Sequence, residues 1–366
     1  MIDRILGVIK NLDWILLGSV ILLICFGLAA IYSIAISADQ PDFGNFQKQI
    51  IFALIGLGLI LIMSLIDYRL WQDYSLLIYL GVGALLLLVL FFGVTVSGTT
   101  GWFSLMGINF QPVELAKVAL IIFLSWFLSH RGQQIKKFKN FFITALATSS
   151  FFFLVILQPD FGSGVMFFLI WVLLLLFAGA DKKHLGVLAL TFIVAAVVAW
   201  LFLFQDYQRE RILTFLNPQS DPYNSGYHVR QAVTAVGAGG IFGRGLGFGS
   251  QSQLKFIPAS QTDFIFAVIA EELGFFGVSL VLFFWGVIFY RLVKAARLMK
   301  DNFSAFFILG VTAVFFSHLM INIGMNLGLV PVTGISLPFL SYGGSFLVIS
   351  LLMVGIIEGM IARSKT

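Results

Sequence analysis

The chain has 366 residues, of which 60% are hydrophobic and 11% are charged, and its formal net charge is +5. Soluble globular domains carry about 25% charged residues, so this composition argues against a water-soluble enzyme, a disordered chain and a nucleic-acid-binding protein. A single cysteine, Cys25, excludes a disulfide framework and a thiolate metal site. The class that remains is a polytopic membrane protein.

Long apolar runs predict the membrane-spanning helices. One span needs about 20 apolar residues, and ten runs of suitable length follow one another along the chain. They cover approximately residues 14–36, 48–66, 74–97, 113–129, 141–157, 164–180, 185–205, 264–290, 304–326 and 345–362. We therefore predict an all-α membrane protein with ten transmembrane helices, formed by one polytopic domain over residues 1–366.

The basic residues predict which side of the membrane each loop faces. If successive loops alternate between the two sides, 15 of the 22 lysines and arginines fall on one side, all in short segments. Basic loops stay in the cytoplasm, so we expect both termini to be cytoplasmic. The longest loop, about residues 206–263 between the seventh and eighth spans, then lies outside. Its many aromatic residues predict a structured loop and not a solvated linker.

The fourth predicted span begins with two ionisable residues. Pro112 suits the first turn of a helix, and Glu114 and Lys117 are three residues apart, which places both charges on one helical face. Ionisable groups in a membrane helix are costly, so they suggest function by default. The two charges either form a structural ion pair or line a polar cavity that supports catalysis.

Polar residues also occur at two later points in the chain. Asp160 is the single acid between two spans and suits a helix cap or a turn. His318, Asn322 and Asn326 recur every four residues in the ninth span, where hydrogen bonding between helices is their simplest role. No two histidines have the spacing of metal ligands.

The end of the long loop holds the densest group of polar residues. Asp263 lies where the eighth span begins, and Thr262 or Asp263 is expected to cap that helix. Upstream, seven glycines between residues 237 and 249, with Arg244 and Lys255 nearby, form either an anion-binding loop or a flexible hinge. An external acid beside a basic, glycine-rich loop suits a lipid-linked phosphate substrate, with the carboxylate as general base.

Motifs distributed over essentially the whole chain resemble the SEDS family of bacterial peptidoglycan polymerases, the group of RodA, FtsW and SpoVE. They include residues 110–117 (FQPVELAK), 158–162 (QPDFG), 207–211 (YQRER), 251–254 (QSQL), 262–267 (TDFIFA) and 338–345 (PFLSYGGS). Residues 251–272, in the form QSQLxFIPxxxTDFIFAxxAEE, are more similar to RodA, the elongation branch, than to FtsW.

The resemblance implies ten transmembrane helices in the bacterial cytoplasmic membrane, with a large external loop between the seventh and eighth. It also implies an activity, the polymerisation of lipid II into β-1,4-linked glycan strands with release of undecaprenyl pyrophosphate, for cell elongation and rod shape. Asp263 matches the essential aspartate of the family, and we infer that it takes the proton from the acceptor 4-hydroxyl. Glu114 and Lys117 match a functionally important pair, and Asp160 matches a residue of structural importance.

The same resemblance suggests binding residues, a cofactor and partners. Contacts to the pyrophosphate are predicted for Arg209, Arg211, Arg244 and Lys255, and further motif positions are Gln111, Gln253, Thr262 and Ser341. A divalent cation, Mg²⁺ or Mn²⁺, suits a pyrophosphate leaving group, although the sequence shows no preformed metal site. The implied partners are lipid II, the nascent glycan strand, a class B penicillin-binding protein, and the MreC, MreD and MreB proteins of the elongation complex, with no nucleic acid among them.

Two other functions stay open at this point. In a lipid II flippase, Glu114, Lys117 and His318 would serve a proton- or substrate-linked pathway. Against this function, no two broken helices in matching halves are visible in the sequence. A scaffold that only recruits the transpeptidase is the third possibility, and it would not need charges at the ends of its helices.

Overall fold

The computed structural model describes residues 2–36, 41–96, 98–105, 108–181, 183–184, 186–187, 200–201, 209, 213–215 and 225–365. Most of these residues are helical. Most of the predicted seventh span, 185–205, and much of the first half of the predicted external loop lie outside the described residues. The count of ten spans and the extent of that loop therefore stay predictions.

The described part of the chain is built mainly from helices. In chain order they are α1 (Ile2–Asn11), α2 (Trp14–Ile36), α3 (Gly44–Leu65), α4 (Arg69–Asp73), α5 (Ser75–Phe92), α6 (Pro112–Arg131), α7 (Phe138–Ile156), α8 (Phe161–Phe177), α9 (Ser225–Ala238), α10 (Ser250–Gln253), α11 (Ile265–Leu298), α12 (Asn302–Asn326) and α13 (Gly344–Ser364). A 3₁₀ helix, Gly132–Lys136, joins α6 to α7.

Eight helices in the described part of the chain are long and apolar enough to cross a membrane, namely α2, α3, α5, α6, α7, α11, α12 and α13. A further apolar helix, α8, has 17 residues. These nine helices coincide with nine of the predicted spans. The chain is therefore a multi-pass membrane protein.

A small antiparallel sheet is the main departure from the predicted all-α fold. Its strands are β1 (Val94–Val96), β2 (Thr99–Leu105) and β3 (Ile108–Phe110), in the order β1-β2-β3. The predicted third span, 74–97, is consequently too long, because α5 ends at Phe92 and Gly93 is already extended. Hydropathy cannot locate this boundary, since a largely apolar strand that continues an apolar helix does not change the mean hydropathy.

Helix α6 is enclosed by protein on nearly all sides. It packs against α5, α7, α8, α12 and α13, and most of its residues are buried. Membrane helices at the periphery of the bundle show a different pattern; α5 and α3 leave many large apolar side chains exposed. Glu114, Lys117 and Ser125 of α6 therefore face other protein groups and not lipid.

The chain between α12 and α13, residues 327–343, is irregular, and its second half is mostly buried. Its residues Ile335, Leu337, Phe339 and Leu340 belong to the hydrophobic core. Helix α2 approaches it at Gly27, where a Cβ atom would stand only 2.5 Å from the carbonyl oxygen of Leu340. Because only part of its backbone is paired within the segment, the remaining groups need other partners. Several of these partners belong to the site described next.

Candidate active site

Asp263 lies directly before α11 and is half-buried. Helix α11 begins at Ile265, so its N-cap residue is Phe264. The prediction that Thr262 or Asp263 caps this helix is therefore wrong. The hydroxyl of Thr262 instead donates to the carbonyl oxygen of Ala259, at 3.2 Å. Asp263 therefore stands in the last turn of the loop, ahead of the helix.

Two buried asparagines of α12 hold the backbone at Asp263. The Nδ2 atoms of Asn322 and Asn326 both donate to the carbonyl oxygen of Asp263, each at 3.0 Å. The Oδ1 atom of Asn326 accepts from the amide of Ala267 at 3.1 Å. Buried amide groups fix geometry only when they are paired, and here both side chains are. The position of the Asp263 backbone is thus fixed while its side chain remains partly exposed.

The 327–343 segment runs beside the residues that precede Asp263. The hydroxyl of Ser341 donates to the carbonyl oxygen of Thr262 at 2.6 Å and accepts from the amide of Leu337 at 2.8 Å. The amide of Tyr342 donates to the carbonyl oxygen of Gln261 at 2.8 Å. The structure therefore brings the two motif residues Thr262 and Ser341 into direct contact.

The carboxylate of Asp263 faces the same segment. A Cβ atom placed on Gly334, whose φ is +73°, would lie 3.8 Å from Oδ2 of Asp263. Glycine at this position keeps the segment free of a side chain next to the carboxylate, and it also permits the left-handed backbone.

Glu114 and Lys117 form the predicted ion pair on α6. The Nζ atom of Lys117 lies 2.7 Å from Oε2 of Glu114, and both side chains are almost completely buried. The same Nζ atom lies 3.1 Å from Nε2 of His318, and the imidazole stacks on the ring of Phe346. Because Nδ1 of His318 faces the carbonyl oxygen of Ser336 at 2.9 Å, Nδ1 carries the proton, and Nε2 offers its lone pair to the lysine.

A continuous series of hydrogen bonds connects this ion pair to the segment beside Asp263. His318 contacts Ser336, and the neighbouring carbonyl oxygen of Ile335 accepts from Asn322 at 2.8 Å. Asn322 in turn donates to Asp263. His318 and Asn326 therefore bond to other helices, as predicted, whereas Asn322 bonds to backbone outside the helices, at Asp263 and Ile335.

Asp160 is the N-cap residue of α8, as the sequence suggested. Its Oδ1 atom accepts from the amide of Ser163 at 3.0 Å, and its Oδ2 atom accepts from the hydroxyl of Ser163 at 2.8 Å. The Nε2 atom of Gln111, which is the N-cap residue of α6, lies 3.3 Å from Oδ2 of Asp160. The two motif residues thus join the first turns of α6 and α8, close to Glu114.

Gln253 belongs to a second cluster, centred on the buried carboxylate of Glu272, for which no role was predicted from the sequence. The Oε1 atom of Glu272 accepts from Ser33 at 2.5 Å, from Nε2 of Gln253 at 3.0 Å and from the amide of Gly247 at 3.3 Å. The adjacent Glu271 accepts from the amides that begin α10. Two acids side by side at the start of an apolar span were the available signal for this cluster.

The predicted pyrophosphate contacts are distributed over several places. The guanidinium of Arg244 donates to the carbonyl oxygen of Ala238 at 3.3 Å and to the hydroxyl of Ser250 at 3.0 Å. Lys255 is exposed, and Arg209 donates to the carbonyl oxygen of Leu201 at 3.4 Å. Arg211 lies outside the described residues. Within the described residues, no three His, Cys, Asp or Glu side chains are grouped closely enough to hold a metal ion.

The arrangement around Asp263 suits proton transfer. A general base must be accessible to its substrate and held in one place, and a partly exposed carboxylate on a backbone fixed by two buried amides meets both conditions. The buried ion pair of α6 is connected to the segment that faces this carboxylate through His318.

Comparison with known proteins shows similarity over the full length of the chain. Residues 13–366 match the FtsW/RodA/SpoVE family model, described as "Cell cycle protein". The probable peptidoglycan glycosyltransferase FtsW of Geobacter sulfurreducens is 33% identical, with 98% of this chain and 97% of the relative covered. The peptidoglycan glycosyltransferase MrdB of Escherichia coli is 34% identical, with 96% and 95% covered.

Solved structures have the same fold. The rod shape determining protein RodA of Thermus thermophilus is similar with a TM-score of 0.72 and 26% identity, covering 96% of this chain and 97% of that one. A chain from a structure entitled "Structural coordination of polymerization and crosslinking by a peptidoglycan synthase complex" has a TM-score of 0.81 and 29% identity, covering 96% and 98%.

Proposed function

The chain belongs to the FtsW/RodA/SpoVE family, and from this membership we propose that it is a peptidoglycan glycosyltransferase that polymerises lipid II into β-1,4-linked glycan strands. Relatives that carry the name peptidoglycan glycosyltransferase match almost its whole length. We assign it to the elongation branch on the form of residues 251–272. Overall identity is nearly equal to FtsW and to MrdB, 33% and 34%, so this motif alone supports the branch.

Asp263 is the proposed general base. Its carboxylate takes the proton from the 4-hydroxyl of the acceptor sugar, and the oxygen attacks the anomeric carbon of the donor. The bond from that carbon to the pyrophosphate oxygen breaks, and undecaprenyl pyrophosphate leaves with the electron pair. One in-line displacement inverts the anomeric carbon and gives the β link. The observation that carries the assignment is the half-buried carboxylate on a backbone fixed by Asn322 and Asn326.

Glu114, Lys117 and Asp160 have supporting roles in this proposal. The ion pair anchors His318, which holds the 327–343 segment that faces the carboxylate. Asp160 and Gln111 fix the ends of the two helices on which this support depends. Ser341, Thr262 and Gln253 keep the neighbouring loop in place. We further propose that Arg209, Arg211, Arg244 and Lys255 bind the pyrophosphate.

The topology completes the proposal. A single domain of ten spans in the bacterial cytoplasmic membrane, with both termini in the cytoplasm, places residues 206–263 outside, where lipid II that has crossed the membrane is available. The nine described apolar helices and the distribution of basic residues support this arrangement. A class B penicillin-binding protein is the proposed partner, because a similar solved chain comes from a complex that couples polymerisation to crosslinking. MreC, MreD and MreB are proposed as further associates on the family resemblance.

A divalent cation, Mg²⁺ or Mn²⁺, is proposed to enter with the substrate. The described acids and histidines do not form a group that fits a resident ion, whereas the pyrophosphate of lipid II is itself a ligand for hard cations. The bound ion would neutralise charge on the leaving group.

The decisive experiment compares two single-atom changes on the same predicted side of the membrane. Asp263→Asn removes the basic carboxylate and keeps its shape, while Asp42→Asn changes an exposed aspartate that bonds only locally, to the amide of Gly44. Purified protein is supplied with its transpeptidase partner, lipid II and a divalent cation, and the glycan polymer is separated on a gel. We expect no polymer from Asp263→Asn and normal polymer from Asp42→Asn. Polymer at the wild-type rate from Asp263→Asn would eliminate the base assignment.

Lipid II translocation is the second candidate function, and one observation favours it. Glu114, Lys117 and His318 form a buried series of ionisable groups inside the bundle, and such series occur in transporters and proton relays. Liposomes that contain the protein and labelled lipid II distinguish the two functions. Movement of the label across the bilayer without polymer would support a flippase, whereas polymer without movement supports the glycosyltransferase.

A further inference from the structure

The membrane helix α11 is broken near its beginning. Gly274 has a φ of +64° and a ψ of −164°, which interrupts the helix. A break in an apolar helix leaves carbonyl and amide groups without their usual partners, and unpaired backbone groups are strongly unfavourable in a hydrocarbon environment. The structure shows where these groups find partners.

The glycine-rich residues 239–249 supply the missing hydrogen bonds. The amides of Arg244 and Gly245 donate to the carbonyl oxygens of Glu271 and Glu272, at 3.0 and 2.9 Å. In the opposite direction, the amides of Phe275 and Phe276 donate to the carbonyl oxygens of Gly240 and Ile241, at 2.9 and 3.0 Å. The loop and the broken helix therefore satisfy each other.

Glycine is required for this close contact. A Cβ atom at Gly239 would collide with the carbonyl oxygen of Ala270, and one at Gly243 would collide with that of Glu272. Gly243 also has a φ of +77°, which other residues rarely adopt. The glycines thus allow backbone to pack on backbone, which gives them a role other than the anion-binding loop or the hinge suggested by the sequence.

The outer surface of this loop is largely apolar. Its charged residue, Arg244, is exposed, and its guanidinium donates to Ala238 and Ser250 at the ends of the loop. We call it the loop patch, and it consists of the exposed side chains of Ile241, Phe242, Leu246 and Phe248 together with Phe275 and Phe276 of α11. Phe242 is 82% exposed and Phe248 is 77% exposed. So many large apolar side chains in contact with water would be unfavourable, and contiguous patches of this kind mark an interaction site.

The position of the patch along α11 indicates what covers it. Arg291 is the first basic residue after the break, and it pairs with Asp13 at the start of α2, at 2.6 Å. A hydrocarbon core of about 30 Å accommodates about 20 helical residues. Phe275 lies 16 residues before Arg291 on the continuous part of the helix, a rise of about 24 Å, so Phe275 and Phe276 fall inside the core. Gly240 and Ile241, hydrogen-bonded to them, lie at the same depth.

We propose that the loop patch is inserted into the bilayer and is covered by lipid acyl chains. It continues the lipid-facing surface of α11, on which Leu282 and Phe283 are also exposed. Its backbone can enter the apolar phase because the broken helix pairs the groups that would otherwise be exposed there. The inserted loop also carries the amide of Gly247 to Glu272, so insertion fixes the height of the Gln253 cluster relative to the membrane.

Site-directed spin labelling tests this proposal. Cys25 is the single cysteine of the chain, and Cys25→Ala supplies the background for Phe242→Cys and for Phe248→Cys. Phe283→Cys, on the exposed face of α11, is the lipid reference, and exposed Lys255→Cys is the water reference. In vesicles of phosphatidylcholine and phosphatidylglycerol, collision rates of each nitroxide with oxygen and with a water-soluble nickel chelate are compared by power saturation.

We expect oxygen to dominate at positions 242 and 248, as at 283, and the nickel chelate to dominate at 255. Each labelled protein is first shown to elute as a folded species in size-exclusion chromatography, and the two loop positions are independent of each other. A ratio equal to that of position 255 at both loop positions, or at either one, would overturn the proposal and would point to a protein partner or to free solvent on this surface. The outcome does not depend on glycosyltransferase activity.

Discussion

The buried ion pair of α6 allows a quantitative test of the support beneath Asp263. Lys117→Met removes the cation and keeps the length of the side chain, which leaves Glu114 buried without its partner at 2.7 Å. At that distance and an effective dielectric constant of about 20, the Coulomb attraction is roughly 6 kcal/mol. Part of it only offsets the desolvation of the two groups, so removal of one partner of a buried pair costs about 3–5 kcal/mol.

The double variant separates the charge from the packing. In Glu114→Gln/Lys117→Met no charge of the pair remains, and replacement of a whole buried pair is often close to neutral. We therefore expect Lys117→Met to be less stable than the double variant, although it carries fewer changes. For 366 residues, about 1 kcal/mol shifts the melting temperature by roughly 1.3 °C, so the expected loss for Lys117→Met is about 4–7 °C.

Melting in detergent, followed by size-exclusion chromatography after heating, gives the stability of each variant. Polymerisation of lipid II by the same samples gives the activity. We expect Glu114→Gln and Lys117→Met each to lower the activity while the protein still inserts into the membrane. Lys117→Met removes the neighbour of His318, and Glu114→Gln removes the partner that holds Lys117 beside His318. Equal melting temperatures for Lys117→Met and the wild type, together with normal turnover, would refute the reasoning and leave the pair without a functional role.

Three further outcomes are expected. Gly274→Ala should lower the melting temperature, because the φ of Gly274 is +64° and a Cβ atom there would collide with the amide nitrogen of Gly243. The expected cost is about 1–3 kcal/mol. Gly286→Ala, where nothing lies within 4 Å of the added Cβ atom, should raise the stability by up to about 1 kcal/mol. Asn322→Leu removes the amide that donates to the carbonyl oxygens of Asp263 and Ile335. It should reduce kcat about five- to thirtyfold, equivalent to about 1–2 kcal/mol, with an unchanged KM. Asn140→Leu loses a bond to Gln134 elsewhere in the bundle and should leave kcat unchanged, so equal rates for the two variants would contradict the positioning role. Chelation with EDTA should stop polymerisation without changing the melting temperature, since the described residues contain no grouped set of metal ligands. A marked drop in melting temperature would instead indicate a structural ion.

Hydropathy was sufficient to locate the helices, because the cost of leaving backbone groups unpaired in lipid forces every long apolar run into a helix. Nine predicted spans correspond to helices for this reason. The same reasoning failed after α5, where the apolar residues Val94–Val96 form a strand. Once the chain has left the hydrocarbon, a strand can pair with a neighbour, and hydropathy no longer distinguishes the two structures.

Local pairings were also predictable where both partners lie on one element. Glu114 and Lys117 are three residues apart on a helix, so their contact follows from helical geometry. Asp160 caps the helix that starts beside it. Neither prediction needed information about distant parts of the chain.

The contacts of the candidate site could not be predicted from the sequence, because they join residues that are far apart in the chain. Asn322 and Asn326 contact Asp263 across about 60 positions, and Ser341 contacts Thr262 across about 80. A periodic pattern shows only that such residues share a helical face. The pairing of the glycine-rich loop with the break at Gly274 was invisible for the same reason.

The amino-acid sequence by itself thus determined the class of protein, most of its helices and the family motifs, since these depend on hydropathy and short-range geometry. Only the tertiary structure decided that His318 and Asn322 connect the ion pair to the proposed base, and that the glycines serve a broken helix. The physical reason is that a hydrogen bond between distant segments depends on how the helices pack, and packing is a property of the whole chain.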